Sequence, residues 1–193
     1  MSSGGPDSSG PELWIVRHGE TEWSRDGRHT STTDLPLTEA GEQAATSLAP
    51  RLAEVAFDLV LTSPRQRARR TAELAGFADA QLDEDLVEWA YGDYEGVTTA
   101  EIREQVPGWT VWSHPSPGGE TAEQVSARLD RVVARARKHD RTLVFAHGHS
   151  LRVLTARWLE QPAEEGRFFK LDTSTISVLG YEREHPALLR WNS

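Results

Sequence analysis

Two short runs of this sequence set a histidine where chemistry can use it. Val16-Arg17-His18-Gly19 and Ala146-His147-Gly148 each follow an apolar stretch, and each places an imidazole immediately before a glycine. A third apolar stretch ends Leu61-Thr62-Ser63-Pro64 and leads into Arg65-Gln66-Arg67. Guanidinium groups such as Arg17 and Arg67 fork onto phosphoryl oxygens. An imidazole attacks phosphorus through one ring nitrogen when the other holds the proton. Neighbouring arginines disfavour the imidazolium and keep His18 neutral and nucleophilic. His147 can donate to a phosphoryl oxygen as charge builds there. The chemistry such a set suits is phosphoryl transfer. The departing alkoxide then needs a proton, and the acids lie in and just before Glu88-Trp89-Ala90-Tyr91-Gly92-Asp93-Tyr94-Glu95-Gly96. A carboxyl close to a phosphate dianion holds its proton more tightly and can supply it. Spacing does not choose among Glu84, Asp85, Glu88, Asp93 and Glu95.

Plainer readings stand beside these. A histidine before a glycine is often a turn residue, and Trp89, Tyr91 and Tyr94 can be core. Metal ligation by His18 and His147 is opposed by their arginine neighbours, which repel a cation, so neither metal nor cofactor is expected.

The elements that must bring these residues together are legible as alternating strands and helices. Residues 12–16, 58–62 and 142–146 are short, apolar and bounded by turn residues, as buried strands are; 175–181 and 187–190 suggest two more. Segment 38–55 has a helical period with Thr38 as N-cap, Leu48, Leu52 and Val55 on one face, and Pro50 positioned to interrupt it. Ser63-Pro64 predicts a helix over 64–75, with Ser63 as cap and proline in its first turn. Segments 121–138, capped by Thr121, and 150–160 complete the set, the last following its strand after a His-Gly-His turn. Residues 107–119 read as loop. This alternation predicts one α/β domain over 12–193, with a largely parallel sheet covered on both faces. In such sheets ligands bind beyond the carboxyl ends of the strands, which is where Arg17, His18, Ser63 and His147 fall. Helix starts there, with free N–H groups and a positive dipole, favour an anion.

Composition narrows the classes further. The 193 residues carry a net charge of −9, which opposes nucleic acid as a partner. The arginines crowd at Arg65, Arg67, Arg69 and Arg70 and again at Arg131, Arg135, Arg137 and Arg141. Most of these are expected on solvated helix faces, with a local cationic pocket still open. There is no cysteine, hence no disulfide, thiolate nucleophile or cysteine-held zinc; that is in keeping with a cytoplasmic protein. No apolar run approaches the ~20 residues of a membrane span, so no membrane association is expected. Residues 1–11 begin MSSGGPDSSG and read as a disordered leader rather than a secretory signal.

Taken in order, the motifs resemble those of the histidine phosphatase superfamily, whose fold is phosphoglycerate mutase-like, a three-layer α/β sandwich. The resemblance is carried by Arg17-His18-Gly19-Glu20-Thr21, by Asp34 to Gly41, by Ser63-Pro64-Arg65-Gln66-Arg67-Ala68 with Thr71-Ala72, by Glu88 to Gly96, by Pro117-Gly118-Gly119-Glu120-Thr121 and by Ala146-His147-Gly148. It implies that His18 becomes a phosphohistidine, that Glu88 is proton donor and later base, and that Arg17, Arg67 and His147 hold the phosphoryl group. Thr30 and Tyr91 match positions that touch substrate in mutases. Trp23 is followed by Ser24 where the family often has an asparagine whose amide binds phosphate; the shorter hydroxyl would reach phosphate through water. The acid motif resembles the phosphatase branch, and the region from Gly96 to Gly119 is shorter than the corresponding mutase insertion. The implied activity is metal-independent hydrolysis of small phosphate monoesters, sugar phosphates or bisphosphates among them. The rivals are a cofactor-dependent phosphoglycerate mutase and a non-catalytic phosphometabolite-binding module.

Overall fold

The computed structural model describes residues 10–193. All but the last two residues of the expected leader lie outside the described residues. Six strands form one sheet: β1 (Glu12–Arg17), β2 (Leu59–Thr62), β3 (Gln81–Leu82), β4 (Arg141–Ala146), β5 (Ile176–Glu182) and β6 (His185–Arg190), in the order β3-β2-β4-β1-β5-β6. Strands β3, β2, β4 and β1 run parallel; β5 pairs antiparallel with β1, and β6 with β5. The sheet is mostly parallel, as expected.

Its central strands are buried on both faces, which is why they read as unbroken apolar runs rather than alternating ones. Along β1, Leu13 and Ile15 enter one core while Val16 enters the other, with Trp14 packed against it. In β4, Val144 and Ala146 face the first core, and Leu143 and Phe145 the second. The first core is closed by α5 (Thr99–Gln105), α6 (Ala122–Ala136) and α7 (Gly148–Trp158) through Ile102, Leu129 and Leu154. The second is closed by α2 (Glu39–Ser47), α3 (Ala49–Ala53) and α4 (Gln66–Leu74) through Leu48, Leu52 and Ala72. Helix, sheet and helix make the three layers.

Local signals set most helix starts. Thr38 caps α2 by accepting from Gly41 N, and Thr121 forms a capping box with Gln124 at α6. The 38–55 segment divides at Leu48, and Pro50 lies in the first turn of α3, where its missing N–H costs nothing. Two starts differ from expectation. Helix α4 begins at Gln66, with Arg65 rather than Ser63 at the N-cap: the Ser63 hydroxyl accepts from Arg65 N, short of the helix, and the N–H of Gln66 is taken by the Asp34 carboxylate at 2.9 Å. Helix α7 begins at Gly148, immediately after β4, so no His-Gly-His turn intervenes. Strand β3, two exposed residues, and α1 (Glu22–Arg25), four residues, were not anticipated.

Register does the positioning. Val16 and Thr62 both lie opposite Phe145, and Arg17 lies opposite Ala146. The next residues, His18, Ser63 and His147, therefore emerge together at the carboxyl edge of the sheet. No described helix is long and apolar enough to cross a membrane.

Candidate active site

Each of the two histidines at this edge has its tautomer set by a hydrogen bond. His18 Nδ1 lies 2.7 Å from the carbonyl of Gly19; a carbonyl only accepts, so Nδ1 carries the proton and Nε2 keeps its lone pair. The ring is 5% exposed. Burial holds its pKa well below the usual histidine value, and Arg67 and Arg17 lower it further. His18 is thus a neutral imidazole with an available nucleophilic nitrogen. The His147 ring stands edge-on to it, with centroids 5.2 Å apart. Arg67 donates from Nε to His147 Nδ1 at 3.1 Å, and His147 Nε2 lies 2.7 Å from Ser63 Oγ. Burial and then Arg67 likewise keep His147 neutral.

The backbone permits this crowding because Gly19 and Gly41 pass in contact. A Cβ on Gly19 would lie 2.6 Å from the carbonyl of Gly41, so neither position admits a side chain. Gly19 N–H donates to Thr71 Oγ1 at 2.9 Å, tying the loop after β1 to α4.

Arg67 is wholly buried, beside His147. Its Nη atoms donate to the carbonyls of Thr33 (2.9 Å), Thr30 (3.3 Å) and Ser31 (3.2 Å). Arg17 is anchored by Nη1 on the carbonyl of Leu171 at 2.5 Å, while its buried Nε–H has no hydrogen-bond partner. The segment that carries Leu171 is itself tied down by Asn192, which accepts from Asp172 N and donates to its carboxylate, both at 2.7 Å.

Among the five acids left open by spacing, Glu88 is the one whose carboxyl lines the cleft. It accepts from the backbone N–H groups of Ser150 (2.7 Å), His149 (3.0 Å) and Trp89 (2.9 Å). The α7 N-terminus thus fixes the carboxylate. The others are otherwise engaged: Asp85 pairs with Arg131, and Glu95 accepts from Ser31 and Thr33, Ser31 through both N and Oγ. Glu84 and Asp93 are exposed.

The loop carrying Glu88 is held by a residue the sequence did not flag. Arg128, 7% exposed, donates to the carbonyls of Asp85 (2.7 Å), Val87 (2.8 Å) and Glu88 (3.2 Å) and pairs bidentately with Glu120 at 2.9 Å. Glu120 also accepts from Ala90 N. Gly92, at φ 55°, meets the backbone of Pro117 and Gly119 where a side chain would collide. The two motif loops therefore pack backbone on backbone.

A cleft of about 220 Å³ opens over this edge, lined by Arg17, His18 and Glu88. Ser24, Thr30 and Tyr91 border it too, with their hydroxyls already engaged. Ser24 Oγ accepts from Thr21 N at 2.9 Å and donates to its carbonyl, completing the α1 capping box. Thr30 Oγ1 donates to the carbonyl of Arg28, and the Tyr91 hydroxyl lies 2.5 Å from His149 Nδ1. Arg67 and His147 stand behind His18, outside the open lining. Sequence reasoning did not single out Arg28, His149 or Arg152, which also face the cleft; only an exposed turn or a helical face carries them. A larger groove, of about 640 Å³, runs beside Gln66, Arg70, Phe77 and Leu82 and contains none of the expected site residues.

Residues 13–193 match the model of the histidine phosphatase superfamily, branch 1. The chain belongs to that family. This histidine phosphatase is 43% identical over 175 residues to a Mycobacterium tuberculosis protein named acid phosphatase, the match covering 88% of this chain and 86% of that one. It is 39% identical to a Saccharomyces cerevisiae protein named sedoheptulose 1,7-bisphosphatase, over 77% of this chain and 67% of its relative. A solved structure from Mycobacterium tuberculosis, that of a functionally characterised open reading frame, superposes with a TM-score of 0.90 at 39% identity, covering 94% and 97% of the two chains. The fold is the phosphoglycerate mutase-like one expected, and the chain is a phosphatase of its family.

Proposed function

We propose that this histidine phosphatase hydrolyses small phosphate monoesters without a metal, through a phosphohistidine on His18. The observation that carries this reading is the His18 ring: protonated at Nδ1 toward Gly19, bare at Nε2, and in one cleft with Arg17 and Glu88. The unpartnered Nε–H of Arg17 supports an anion there, since a buried donor without an acceptor is costly.

In the first step the Nε2 lone pair forms the N–P bond as the P–O bond to the alkoxide breaks, and Glu88 gives that oxygen its proton. In the second, Glu88 takes a proton from water, the water oxygen bonds phosphorus, and the N–P bond breaks. Inorganic phosphate leaves and His18 is neutral again. Arg17 holds the phosphoryl group. Arg67 and His147 join it because a phosphoryl oxygen is a stronger acceptor than the carbonyl or hydroxyl oxygens they now contact. Ser24 and Thr30 reach the ligand through water, and Tyr91 shapes the cleft wall. Nearby guanidinium groups that repel a cation support chemistry without metal.

Hydrolysis rather than mutase chemistry is favoured because much of the segment from Gly96 to Gly119 packs into the body, with Ile102, Trp109 and Val111 in the core, rather than covering the cleft. Relatives named for phosphatase activities support the same choice, and the sedoheptulose 1,7-bisphosphatase resemblance supports sugar phosphates and bisphosphates as substrates. A cysteine-free sequence suits the cytoplasm as its place of action. The test is phosphate release from a panel of phosphorylated metabolites in the presence of a chelator, alongside a mutase assay primed with 2,3-bisphosphoglycerate. Net phosphate release is expected; sustained isomerisation without it overturns the reading in favour of a mutase.

A further inference from the structure

We infer that Glu95 is the positioning residue for Arg67: acting through the bend at residues 30–33, its carboxylate fixes the guanidinium that is to hold the transferred phosphoryl group. This rests on the role proposed above for Arg67 and adds the group that keeps it in place.

Arg67 is a wholly buried cation with no carboxylate in hydrogen-bond contact. Asp34 stands 3.9 Å from Nη1, beyond that reach, and its oxygen already accepts from Gln66 N. The Arg67 Nη atoms are met instead by three carbonyls, those of Thr30, Ser31 and Thr33, all in one bend. The bend belongs to no helix or strand, and among the described residues no backbone–backbone hydrogen bond reaches 30–33. A segment without its own ladder cannot hold three carbonyls on one target unless something outside it fixes its shape.

Glu95 supplies that restraint. One carboxylate oxygen accepts from the N–H groups of Ser31 (2.9 Å) and Thr33 (3.0 Å), and the other from the Ser31 hydroxyl. The chain on either side of Glu95 is tied to the same place. Tyr91 N donates to Ser31 Oγ at 3.4 Å, and Gly96 N to the carbonyl of His29 at 2.7 Å. Burial works to raise the Glu95 pKa, but the hydrogen bonds from Ser31 and Thr33 outweigh it and hold the group below the ordinary glutamate value. At neutral pH it is an anion.

The cation and the anion share one peptide group. The Thr30–Ser31 peptide gives its carbonyl to Arg67 Nη2 at 3.3 Å and its N–H to Glu95 at 2.9 Å. Its dipole lies with the sign that both charges favour, and each of the two hydrogen bonds strengthens the other. Without the carboxylate, the N–H of Ser31, a residue 3% exposed, would be a buried donor with no acceptor, which the bend relieves by turning. Its carbonyls would then draw the guanidinium away from His147, whose Nδ1 it reaches at 3.1 Å. A displacement of about 1 Å in such a group costs on the order of 10²-fold in rate.

A staple that serves only the fold would make the same contacts, so the test is a double-mutant cycle with Arg67. It reads kcat for phosphate release from p-nitrophenyl phosphate, per folded protein. Glu95→Ala is expected to lower kcat by about 10–10²-fold. Glu95→Gln, whose carbonyl oxygen can accept both N–H groups while its amide donates to Ser31 Oγ, should recover most of that loss. In an Arg67→Met background, Glu95→Ala should cost no more than about twofold, because the group it positions is gone. Arg67→Lys, which cannot fork onto three carbonyls, is the second background should Arg67→Met not fold. Lower overall stability would act equally in both backgrounds and does not mimic the coupling. Equal losses with and without Arg67, or a Glu95→Ala protein as fast as the wild type, overturn the positioning role and leave the proposed hydrolysis intact. The same cycle is read without turnover as affinity for inorganic phosphate by titration calorimetry. Should the wild type release no phosphate while Glu95→Ala weakens phosphate binding only when Arg67 is present, the hydrolysis falls and the positioning role stands.

Discussion

Arg67 donates its Nε–H to His147 Nδ1 across 3.1 Å, which leaves Nε2 of that ring as the protonated nitrogen, 2.7 Å from Ser63 Oγ. Serine, histidine and arginine come from the ends of three elements and form one chain of hydrogen bonds directly behind His18, the proposed nucleophile. Removing Arg67 deletes the charge and orphans the imidazole together. Arg67→Met is expected to lower kcat by about 10²–10³, as loss of one fixed transition-state donor does. Ser63→Ala, which leaves the arginine in place, should cost much less; the two kcat values measured side by side check the ranking.

Neutrality of the His18 ring, the proposed nucleophile, has a pH signature. Burial, Arg67 and Arg17 all hold the His18 pKa down, so the ring stays unprotonated as pH falls past about 6.5. The acid limb of kcat/KM, where His18 takes up a proton and stops attacking, should therefore lie well below that value. Arg17→Met removes one lowering influence and should move the limb upward. A limb near 6.5 in the wild type contradicts the assignment.

The same shifts bear on stability. His18 and His147 have pKa values lower in the folded state than in an unfolded chain. Their full contribution is present above the unfolded value near 6.5 and is lost as pH falls from there toward the folded values, because the unfolded chain binds protons that the folded one does not. The slope approaches about 1.4 kcal/mol per pH unit for each ring. Urea midpoints between pH 8 and 5 should fall on the acid side, and less steeply in His147→Gln.

Glu88 is expected to matter in proportion to the basicity of the leaving group. Glu88→Gln should lower kcat/KM by about 10²–10⁴ on an alkyl phosphate, the usual weight of a general acid, and far less on p-nitrophenyl phosphate, whose phenolate leaves without help. Equal losses on both esters would remove Glu88 from the proton transfer.

Arg128 should act through the loop it holds. Its pairing with Glu120 and its three carbonyl contacts at Asp85, Val87 and Glu88 make Arg128→Met costly, at about 3 kcal/mol for breaking a buried pair. Activity lost in that variant should track displacement of Glu88, with kcat falling more than KM rises.

These residues also mark how far a sequence carries. The central strands were legible because burial on both faces forces continuous apolar runs, and Thr38 and Thr121 announced their helices through capping chemistry that needs only neighbours in the chain. Strand β3 was not legible, since two exposed residues, Gln81 and Leu82, leave no pattern. The α4 start was misplaced because the acceptor for its first N–H, that of Gln66, is the carboxylate of Asp34, 32 residues away, rather than a neighbouring hydroxyl. At the site, the motifs and the family resemblance named His18, Arg17, Arg67, His147 and Glu88, yet spacing alone could not tell Glu88 from Glu95. Only the fold puts three backbone N–H groups of the 89 and 149–150 segments around one carboxylate and gives the other to Ser31 and Thr33. Arg128 and Arg152 were hidden for the same reason: an arginine on a helix reads as solvated until its long-range partners are known.

The central claim is that phosphorus passes through a covalent bond to His18. Acid-unstable, base-stable label from a ³²P-phosphorylated substrate, trapped by rapid quench during turnover and mapped to the peptide containing His18, is the direct measurement. Labelling of His18 in the wild type, enhanced when Glu88→Gln slows the second step more than the first and absent in His18→Ala, is the expected result. Turnover that proceeds with no labelled histidine, or with the label on another residue, would contradict it.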